Sequence, residues 1–560
     1  MDWVVTIVKL ARKTVKAEAI VTEEKAQQKK DHGLLRSSGV VSFFTMLSRF
    51  LGLARDVVFA RVIGAEALAD VFFVAFKIPN FFRRLFAEGA FAQAFVPILG
   101  EYREKGSAAA VRELVSRVAG NLGLTLILIT LFIVLASPLM AAIFAPSWYM
   151  DNPTKFAATA EMLRITFPYL LFISLTGVAG AVLNSYDRFA VPAFTPLLLN
   201  VTLIAAALIG APLFEQPAYA LAWGVLLAGI VQFIFQLPFL RRIHMLPMPK
   251  VDWQHSGVKK VLALMAPAIF GVSVSQINLL LDTVLATFLP TGSVSWLYYS
   301  DRLSELPLGV FGIAIATVIL PNLSRHHIAQ STQAFSQTLD WALKMILLIA
   351  LPAAAALMLL AEPILVTLFY YGEVMTLRDM AMASLSLKAY AAGLVAFMLI
   401  KVLAPGFFAR QDMRTPVRIG IIAMVLNMLF NLILVIPLHK YWQIGHLGLA
   451  AATSLSAFIN AILLFLSLRK KAIYQPSAGW LRFFVGLISS VAIMLLVLNQ
   501  LLGLWGGVEA FYHQDWLQRI SSIALLCGAG FIAFLVCLFV FGFRLSDMRG
   551  PAKATTDLNK

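Results

Sequence analysis

The chain has 560 residues, of which 60% are hydrophobic and only 13% charged, and its mean hydropathy is +0.83. A water-soluble protein would carry roughly 25% charged residues, so water is excluded as the main solvent of the folded chain. The formal net charge of +16 is typical of the basic cytoplasmic loops of a membrane protein. We therefore do not expect a nucleic-acid partner.

Residues 1–33 are polar and mixed in charge, which predicts a cytoplasmic tail. Beyond them, apolar stretches recur that are long enough to cross a bilayer as helices, the structure that satisfies every backbone amide inside lipid. We predict fourteen spans, at about residues 38–62, 67–99, 117–145, 160–185, 190–212, 217–240, 258–289, 295–323, 337–361, 383–409, 415–437, 446–468, 479–503 and 519–543.

The distribution of basic residues between the predicted loops sets the orientation. Lys and Arg concentrate in alternate loops, for example at Arg241, Arg242 and Lys250, whereas the opposite loops hold few, such as Lys155 and Lys440. Since basic loops stay in the cytoplasm, both termini are expected there.

A weak internal repeat divides the predicted spans into two sets. Residues 60–97 and 286–323 share a loop, an aromatic-rich span and a proline-bearing end. Two stretches in the same orientation predict two lobes related by a pseudo-two-fold axis along the membrane normal. The predicted organisation is a tail, a six-helix lobe, a second six-helix lobe, two further helices and a cytoplasmic tail, over residues 1–33, 34–243, 244–475, 476–545 and 546–560.

Charged residues inside the first helices of both lobes indicate a binding site, because charges within spans are costly and face a cavity or a partner. Arg55, Arg83 and Arg302 lie in three such helices, and the nearby acids do not neutralise all of them. A guanidinium keeps its charge and grips phosphate oxygens with two parallel hydrogen bonds. The three arginines therefore favour a diphosphate ligand, whereas an exporter of cationic drugs would need carboxylates.

Other polar residues in the spans have a structural interpretation beside the functional one. Arg84 and Glu88, at i and i+4, are expected to form a structural ion pair. Arg49 either contacts a ligand or extends to the membrane surface. Trp296, Tyr298 and Tyr299 are expected to form an aromatic belt at the membrane interface.

The histidines and cysteines suggest no metal centre or enzyme chemistry. The eight histidines form no HExxH or Cys/His metal spacing, and the chain lacks a GxSxG motif and a phosphate-binding glycine loop. Cys527 and Cys537 are ten residues apart on one expected helix, too far for a disulfide. We expect a transporter without catalytic residues or a resident cofactor.

Five motifs carry a resemblance to a known family. They are SRFLGLARD (48–56), ADVFFVAFKIPN (69–80), RRLFAEGAF (83–91), GSVSWLYYSDRL (292–303) and VLAPGFFARQD (402–412). The chain resembles the lipid II flippases of the MurJ/MviN family from about residue 34 to the end. The resemblance implies an all-α polytopic membrane protein of the multidrug/oligosaccharidyl-lipid/polysaccharide exporter superfamily, with fourteen helices.

The resemblance also implies an activity and site residues. It implies alternating-access movement of undecaprenyl-diphosphate-linked peptidoglycan precursor to the outer leaflet of the bacterial inner membrane, by a monomer surrounded by membrane lipids. Residues 476–545 would form a groove for the polyprenyl tail. The implied substrate-binding residues are Arg55, Arg83, Arg302, Ser48, Arg49, Asp56 and Asp70. A flippase for another polyprenyl-diphosphate-linked oligosaccharide is the alternative.

A candidate sodium site is implied by the same resemblance, since some relatives bind sodium between their seventh, eleventh and twelfth helices. The matching positions are Asp282, Asn427, Asn431 and Thr453, with the carbonyl of Leu449. Asn431 stands where sodium-binding relatives carry aspartate, and losing a carboxylate weakens a site for a hard cation. Protons or the membrane potential are the alternative energy sources, and Asn427, Asn431 and Thr453 would then be hydrogen-bonding contacts between helices.

Overall fold

A computed structural model describes residues 39–85, 91–371 and 374–544. Within these residues the secondary structure is helical, with helix α1 over residues 39–62. The following helices are α2 Ala67–Arg83, α3 Phe91–Lys105, α4 Ala108–Leu135, α5 Ser137–Phe144, α6 Pro146–Asp151, α7 Pro153–Thr166, α8 Tyr169–Ser185, α9 Ala190–Ala205, α10 Pro217–Arg242, α11 Ser256–Thr287, α12 Ser293–Pro307, α13 Ile313–Ile328, α14 Thr332–Leu359, α15 Ala361–Phe369, α16 Leu377–Phe408, α17 Arg414–Trp442, α18 Gly445–Lys470, α19 Trp480–Leu504, α20 Gly507–His513 and α21 Trp516–Val540. The predicted tails, 1–33 and 546–560, lie outside the described residues.

Most of the predicted spans coincide with helices that could cross a membrane. In the described part of the chain, eleven helices are long and apolar enough, beginning with Ala108–Leu135 and ending with Trp516–Val540. The remaining three predicted spans, at 38–62, 67–99 and 258–289, fall on α1, on α2 with α3, and on α11. The polytopic all-α class is confirmed, and the number fourteen stays a prediction.

The helix breaks repeat along the chain. Helix α4 ends at Ala136 (φ −91°, ψ 21°) before the short α5, and α14 ends 224 positions later at Leu360 (φ −95°, ψ 14°) before the short α15. In the same register, the Asn152 side chain caps α7 and the Thr376 side chain caps α16. Matched interruptions at one spacing support the predicted internal repeat.

Proline shapes the helix that enters the centre of the molecule. Pro79 lies inside α2 and cannot donate a hydrogen bond to the carbonyl of Ala75. The Thr166 hydroxyl of α7 donates to that carbonyl instead, at 3.2 Å. The freed backbone group is therefore satisfied by a neighbouring helix, and α2 can continue to Asn80 and Arg83 beside the central cavity.

Candidate functional site

Arg55 and Asp56 form the buried centre of a network that joins the two lobes. Both are nearly inaccessible, at 6% and 1% exposed. Arg55 Nη2 lies 2.7 Å from Asp56 Oδ1, and Arg55 Nη1 donates to Asn200 on α9 at 3.0 Å. From the second lobe, the Tyr298 hydroxyl donates to Asp56 at 2.8 Å. The network fixes this guanidinium through partners on three helices.

Arg302 approaches the same carboxylate from α12. Its Nε lies 3.8 Å from Asp56 Oδ2 and its Nη1 lies 3.1 Å from Glu305 Oε2. The guanidinium also lies over the Tyr298 ring, 5.1 Å from its centroid. Its side chain keeps 35% exposure, so Arg302 is available to a ligand in a way that Arg55 is not.

The three predicted arginines line one cavity of about 420 Å³ between the lobes. Arg83 reaches it from α2, where its Nε donates to Asn80 at 3.2 Å. Ser48 and Arg49 line it from α1, and Arg84 lines it from the residue after α2. Glu88, the predicted partner of Arg84, lies outside the described residues, so that ion pair stays a prediction.

The cavity has a surplus of positive charge. Among the described residues, six basic side chains line it, against four carboxylates, which leaves a formal charge of +2. The basic residues are Arg49, Arg55, Lys77, Arg83, Arg84 and Arg302, and the acidic residues are Asp56, Asp282, Asp301 and Glu305. A cavity with low-dielectric walls and one sign of charge attracts the opposite ion, so this one suits an anion of about two charges.

Asp70 does not line this cavity, although the sequence placed it among the substrate-binding residues. Its carboxylate is 2% exposed and accepts hydrogen bonds from the backbone N–H of Gly292 at 2.7 Å and of Ser295 at 3.0 Å. It thereby caps the N-terminus of α12, where free N–H groups favour an anion. Lys155 Nζ lies 3.5 Å away. The geometry gives Asp70 a role in closing one end of the interface between the lobes.

The loop after α1 completes that closure. The Tyr299 hydroxyl of the second lobe donates to the carbonyl of Gly64 at 3.0 Å. Gly64 has a φ of +58°, and a Cβ there would lie 2.4 Å from the carbonyl oxygen of Val374. Only glycine satisfies both the backbone conformation and the close approach.

The lobes also meet at the opposite end. The guanidinium of Arg49 packs directly on Gly309 of the second lobe, where any side chain would collide with it. Lys260 on α11 lies 3.4 Å from Glu101 on α3. In this conformation the lobes therefore touch on both sides of the cavity.

The candidate sodium-site residues come together beside the cavity. Asn431 Nδ2 donates to Asp282 Oδ1 at 2.8 Å and to Asn427 Oδ1 at 3.1 Å. The Thr453 hydroxyl lies 3.2 Å from Asp282 Oδ2 and 3.0 Å from the carbonyl of Leu449. The amide nitrogen of Asn431 thus bridges the two oxygens that a cation would otherwise bridge. As arranged, the cluster is held by its own hydrogen bonds, with the amide nitrogen of Asn431 rather than its oxygen turned to Asp282.

The predicted aromatic belt is wrong. Trp296, Tyr298 and Tyr299 are buried, at 3%, 6% and 0% exposed. Their polar tips bind carboxylates and a carbonyl between helices, as when Trp296 Nε1 donates to Asp379 at 2.8 Å. A ring with a polar tip suits a membrane interface or a buried contact that supplies a hydrogen-bond partner, and here the partners are internal.

The fold and the cationic cavity define a two-lobed helical membrane transporter. A solved multidrug transporter of the MOP superfamily, in an inward-facing conformation, shares the fold with a TM-score of 0.63 and 17% identity over 77% of this chain and 97% of that one. A solved structure titled "Lipid II flippase MurJ, inward closed conformation" matches with a TM-score of 0.74 and 25% identity, covering 90% of this chain and 98% of that chain.

Sequence comparison gives the family. The family model described as "Lipid II flippase MurJ" matches residues 59–517. A probable lipid II flippase MurJ of Vibrio cholerae is 48% identical, covering 93% of this chain and 98% of that protein. The lipid II flippase MurJ of Burkholderia cenocepacia is 43% identical, covering 93% and 100%. The chain belongs to the MurJ family of lipid II flippases.

Proposed function

We propose that this protein moves lipid II, the undecaprenyl-diphosphate-linked peptidoglycan precursor, from the inner to the outer leaflet of the bacterial inner membrane. The observation that carries the proposal is the interlobe cavity, whose described lining residues carry a formal charge of +2. A diphosphate diester carries about two negative charges, and buried guanidinium groups are its best side-chain partners. The names of the relatives support lipid II as the molecule that bears this diphosphate.

Arg302 is the residue we assign to first contact with the diphosphate. It is the partly exposed arginine of the network, and it holds Asp56 only at 3.8 Å. A phosphate oxygen can replace that long contact with bidentate hydrogen bonds. Once Arg302 has turned to the substrate, Tyr298 is the remaining contact between the described residues of the second lobe and Asp56. Substrate binding thereby weakens the bond between the lobes and favours their rearrangement.

The membrane potential is the energy source that we propose. With both termini in the cytoplasm, an inside-negative potential favours outward movement of an anion by about 2.3 kcal/mol per charge per 100 mV. The Asn431 amide already bridges Asp282 and Asn427, so the cycle is proposed to run without sodium. We propose a monomer as the working unit.

Depletion in living cells tests the function. If lipid II is the substrate, depletion leaves it on the inner leaflet and stops wall synthesis. Expression of Arg302→Gln would fail to rescue such cells, whereas Arg410→Gln, at a loop outside the cavity, would rescue them. Accumulation of a different polyprenyl-linked oligosaccharide would refute lipid II as the substrate, and full rescue by Arg302→Gln would refute the site.

A further inference from the structure

The segment between α18 and α19 lies along the start of α14. Ser336, Asp340 and Lys344 are spaced four residues apart on one face of that helix. The Ser336 hydroxyl accepts from the backbone N–H of Gln475 at 2.9 Å, and Lys344 Nζ donates to Ser477 at 2.9 Å. The segment is therefore fastened to the helix over two turns.

Asp340 is the centre of this attachment. It is 5% exposed, and it accepts hydrogen bonds from the Tyr474 hydroxyl at 2.8 Å, the Ser477 hydroxyl at 2.5 Å and Trp480 Nε1 at 2.7 Å. Lys344 Nζ lies 2.7 Å from the same carboxylate. Burial and the hydrogen bond to Asp340 raise the pKa of Tyr474, so this tyrosine remains a donor. Trp480 is the first residue of α19, so Asp340 fixes where that helix begins.

Arg519 makes the corresponding attachment at the other end of the helix pair. It lies on α21, is 7% exposed, and donates to the carbonyl oxygens of Tyr370 at 2.7 Å and Tyr512 at 3.2 Å. The last carbonyls of a helix lack partners within it and favour a cation, and Tyr370 directly follows α15. The Tyr512 hydroxyl also donates to Glu362 of α15 at 2.8 Å.

Both attachments reach the same part of the second lobe. Helices α14 and α15 are consecutive and separated only by Leu360. Between the attachments α19 and α21 pack closely, since a Cβ on Gly530 would lie 2.9 Å from Leu498. A helix pair held at both ends on one support cannot pivot about either end.

The first lobe contains a simpler version of the Asp340 attachment. Ser116 of α4 lies 224 positions before Asp340, and its hydroxyl accepts from the backbone N–H of Met248 at 3.2 Å. Its carbonyl accepts from the backbone N–H of Lys250 at 3.0 Å. The segment after α10 is thus fastened onto α4 in the first lobe, as the segment after α18 is fastened onto α14 in the second. In the second lobe the carboxylate of Asp340 stands in place of the serine, and it also accepts a hydrogen bond from Trp480 Nε1.

We propose that Asp340 and Arg519 are positioning residues that hold α19 and α21 as a fixed part of the second lobe while the two lobes move during transport. Neither residue contacts the cavity. Their effect on transport rests on the proposed function, because only a substrate with a lipid tail would use the constant surface that a fixed helix pair presents. Their effect on the position of the helix pair does not depend on the identity of the substrate.

Spin-label distances test the position directly. The background carries Cys527→Ser and Cys537→Ala, and labels are placed at exposed positions, pairing Leu496 of α19 with Met358 of α14 or with Leu131 of α4. Each pair is recorded with Asp70 intact and as Asp70→Ala, which removes the closure at α12. We expect the pair to Leu131 to shift and the pair to Met358 to stay unchanged. A shift of the Met358 pair as large as that of the Leu131 pair would overturn the proposal.

Variants of Asp340 and Arg519, the two anchors of the helix pair, give a second measurement. It tests whether they hold α19 and α21 in place even if Asp70→Ala does not move the lobes. Asp340→Asn and Arg519→Gln are expected to broaden the Leu496–Met358 distance distribution and slow transport several-fold, while substrate affinity at the cavity is retained. Asp412→Asn, which removes another carboxylate paired with a lysine but does not touch α19, is the matched control. Anchor variants with wild-type distances and wild-type transport would refute the assignment of Asp340 and Arg519. If the unmutated protein did not transport lipid II at all, only the proposed function would be refuted.

Discussion

Replacing Asp56 with leucine should leave a buried arginine without its counter-charge. Oδ1 of Asp56 accepts from Arg55 Nε at 3.0 Å, from Arg55 Nη2 at 2.7 Å and from the Tyr298 hydroxyl at 2.8 Å. Hydrogen bonds to a charged group contribute about 1.5–3 kcal/mol each, and breaking a buried ion pair from one side costs about 3–5 kcal/mol. We expect Asp56→Leu to lower the free energy of unfolding by about 3–5 kcal/mol.

The double variant Arg55→Leu/Asp56→Leu separates the charge effect from the packing effect. Replacing both members of a buried ion pair with apolar residues is often neutral or stabilising, so the double variant should be more stable than Asp56→Leu alone. Asp412→Leu is the control, because its partner Lys471 lies in an exposed pair, at 47% side-chain exposure. Such pairs contribute about 0–1 kcal/mol. Asp412 also accepts hydrogen bonds from Thr415 at the start of α17, and losing such a cap costs about 1 kcal/mol, so the total stays below the loss expected for Asp56→Leu.

Unfolding in detergent, followed by tryptophan fluorescence, measures all four proteins. The expected order of stability is wild type, Asp412→Leu, the double variant and then Asp56→Leu. The reasoning would be refuted if Asp56→Leu were no less stable than the Asp412→Leu control. An additive loss in the double variant would equally show that the two side chains are not coupled. Transport should be lost in every variant that lacks Arg55.

Three further predictions concern glycine, pH and sodium. Gly64→Ala should destabilise the contact between the lobes and slow transport, because a Cβ there meets the Val374 carbonyl at 2.4 Å. Gly100→Ala on α3, where a Cβ has no neighbour within 4 Å, should neither lower thermal stability nor slow transport; equal effects would contradict the geometry. Hydrogen bonds from Lys471 and Thr415 lower the pKa of Asp412 to about 2, so its contribution to stability is complete above the unfolded-state pKa of about 3.9 and is lost as the pH falls towards 2. The difference in melting temperature between wild type and Asp412→Asn should accordingly be constant from pH 8 to pH 5 and shrink below pH 4, and a difference that grew on acidification would contradict the sign. Sodium should not raise the melting temperature of the unmutated protein more than potassium does. Asn431→Asp, which adds a second carboxylate beside Asp282, should create a sodium-specific increase. Such an increase in the unmutated protein would refute the proposed sodium independence.

Local pattern was sufficient to predict the helices and the charged residues of the cavity. Apolar length predicts where eleven spans lie in the described part of the chain, although the prediction 117–145 misses both ends of α4, Ala108–Leu135. The cost of charge inside a membrane singles out Arg55, Arg83 and Arg302. Those rules depend on near neighbours in the chain and on the membrane environment. They therefore predicted which side chains are unusual, and the structure brings all three to one cavity.

Partners that are distant in sequence could not be predicted in this way. Asn200 lies 145 positions from Arg55, and Tyr298 lies 243 positions from it. Asn200 was missed although it is polar within an apolar span, the signal that could have found it. Tyr298 was placed in an interfacial belt because amphipathic rings are common there. Asp70 was assigned to the substrate through the family resemblance, and its role as a cap for α12, 222 positions away, was not visible in the sequence.

The matched short helices α5 and α15 show how a duplicated architecture can acquire two different sides. Leu139 and Ile143 of α5 are 55% and 51% exposed, whereas Thr367, which lies 224 positions after Ile143 on α15, is 3% exposed. The C-terminal helices cover α15 and leave α5 facing the lipid. Two halves with a common plan thus present different surfaces to the bilayer. A lipid that approaches within the membrane plane therefore meets a different surface on each lobe.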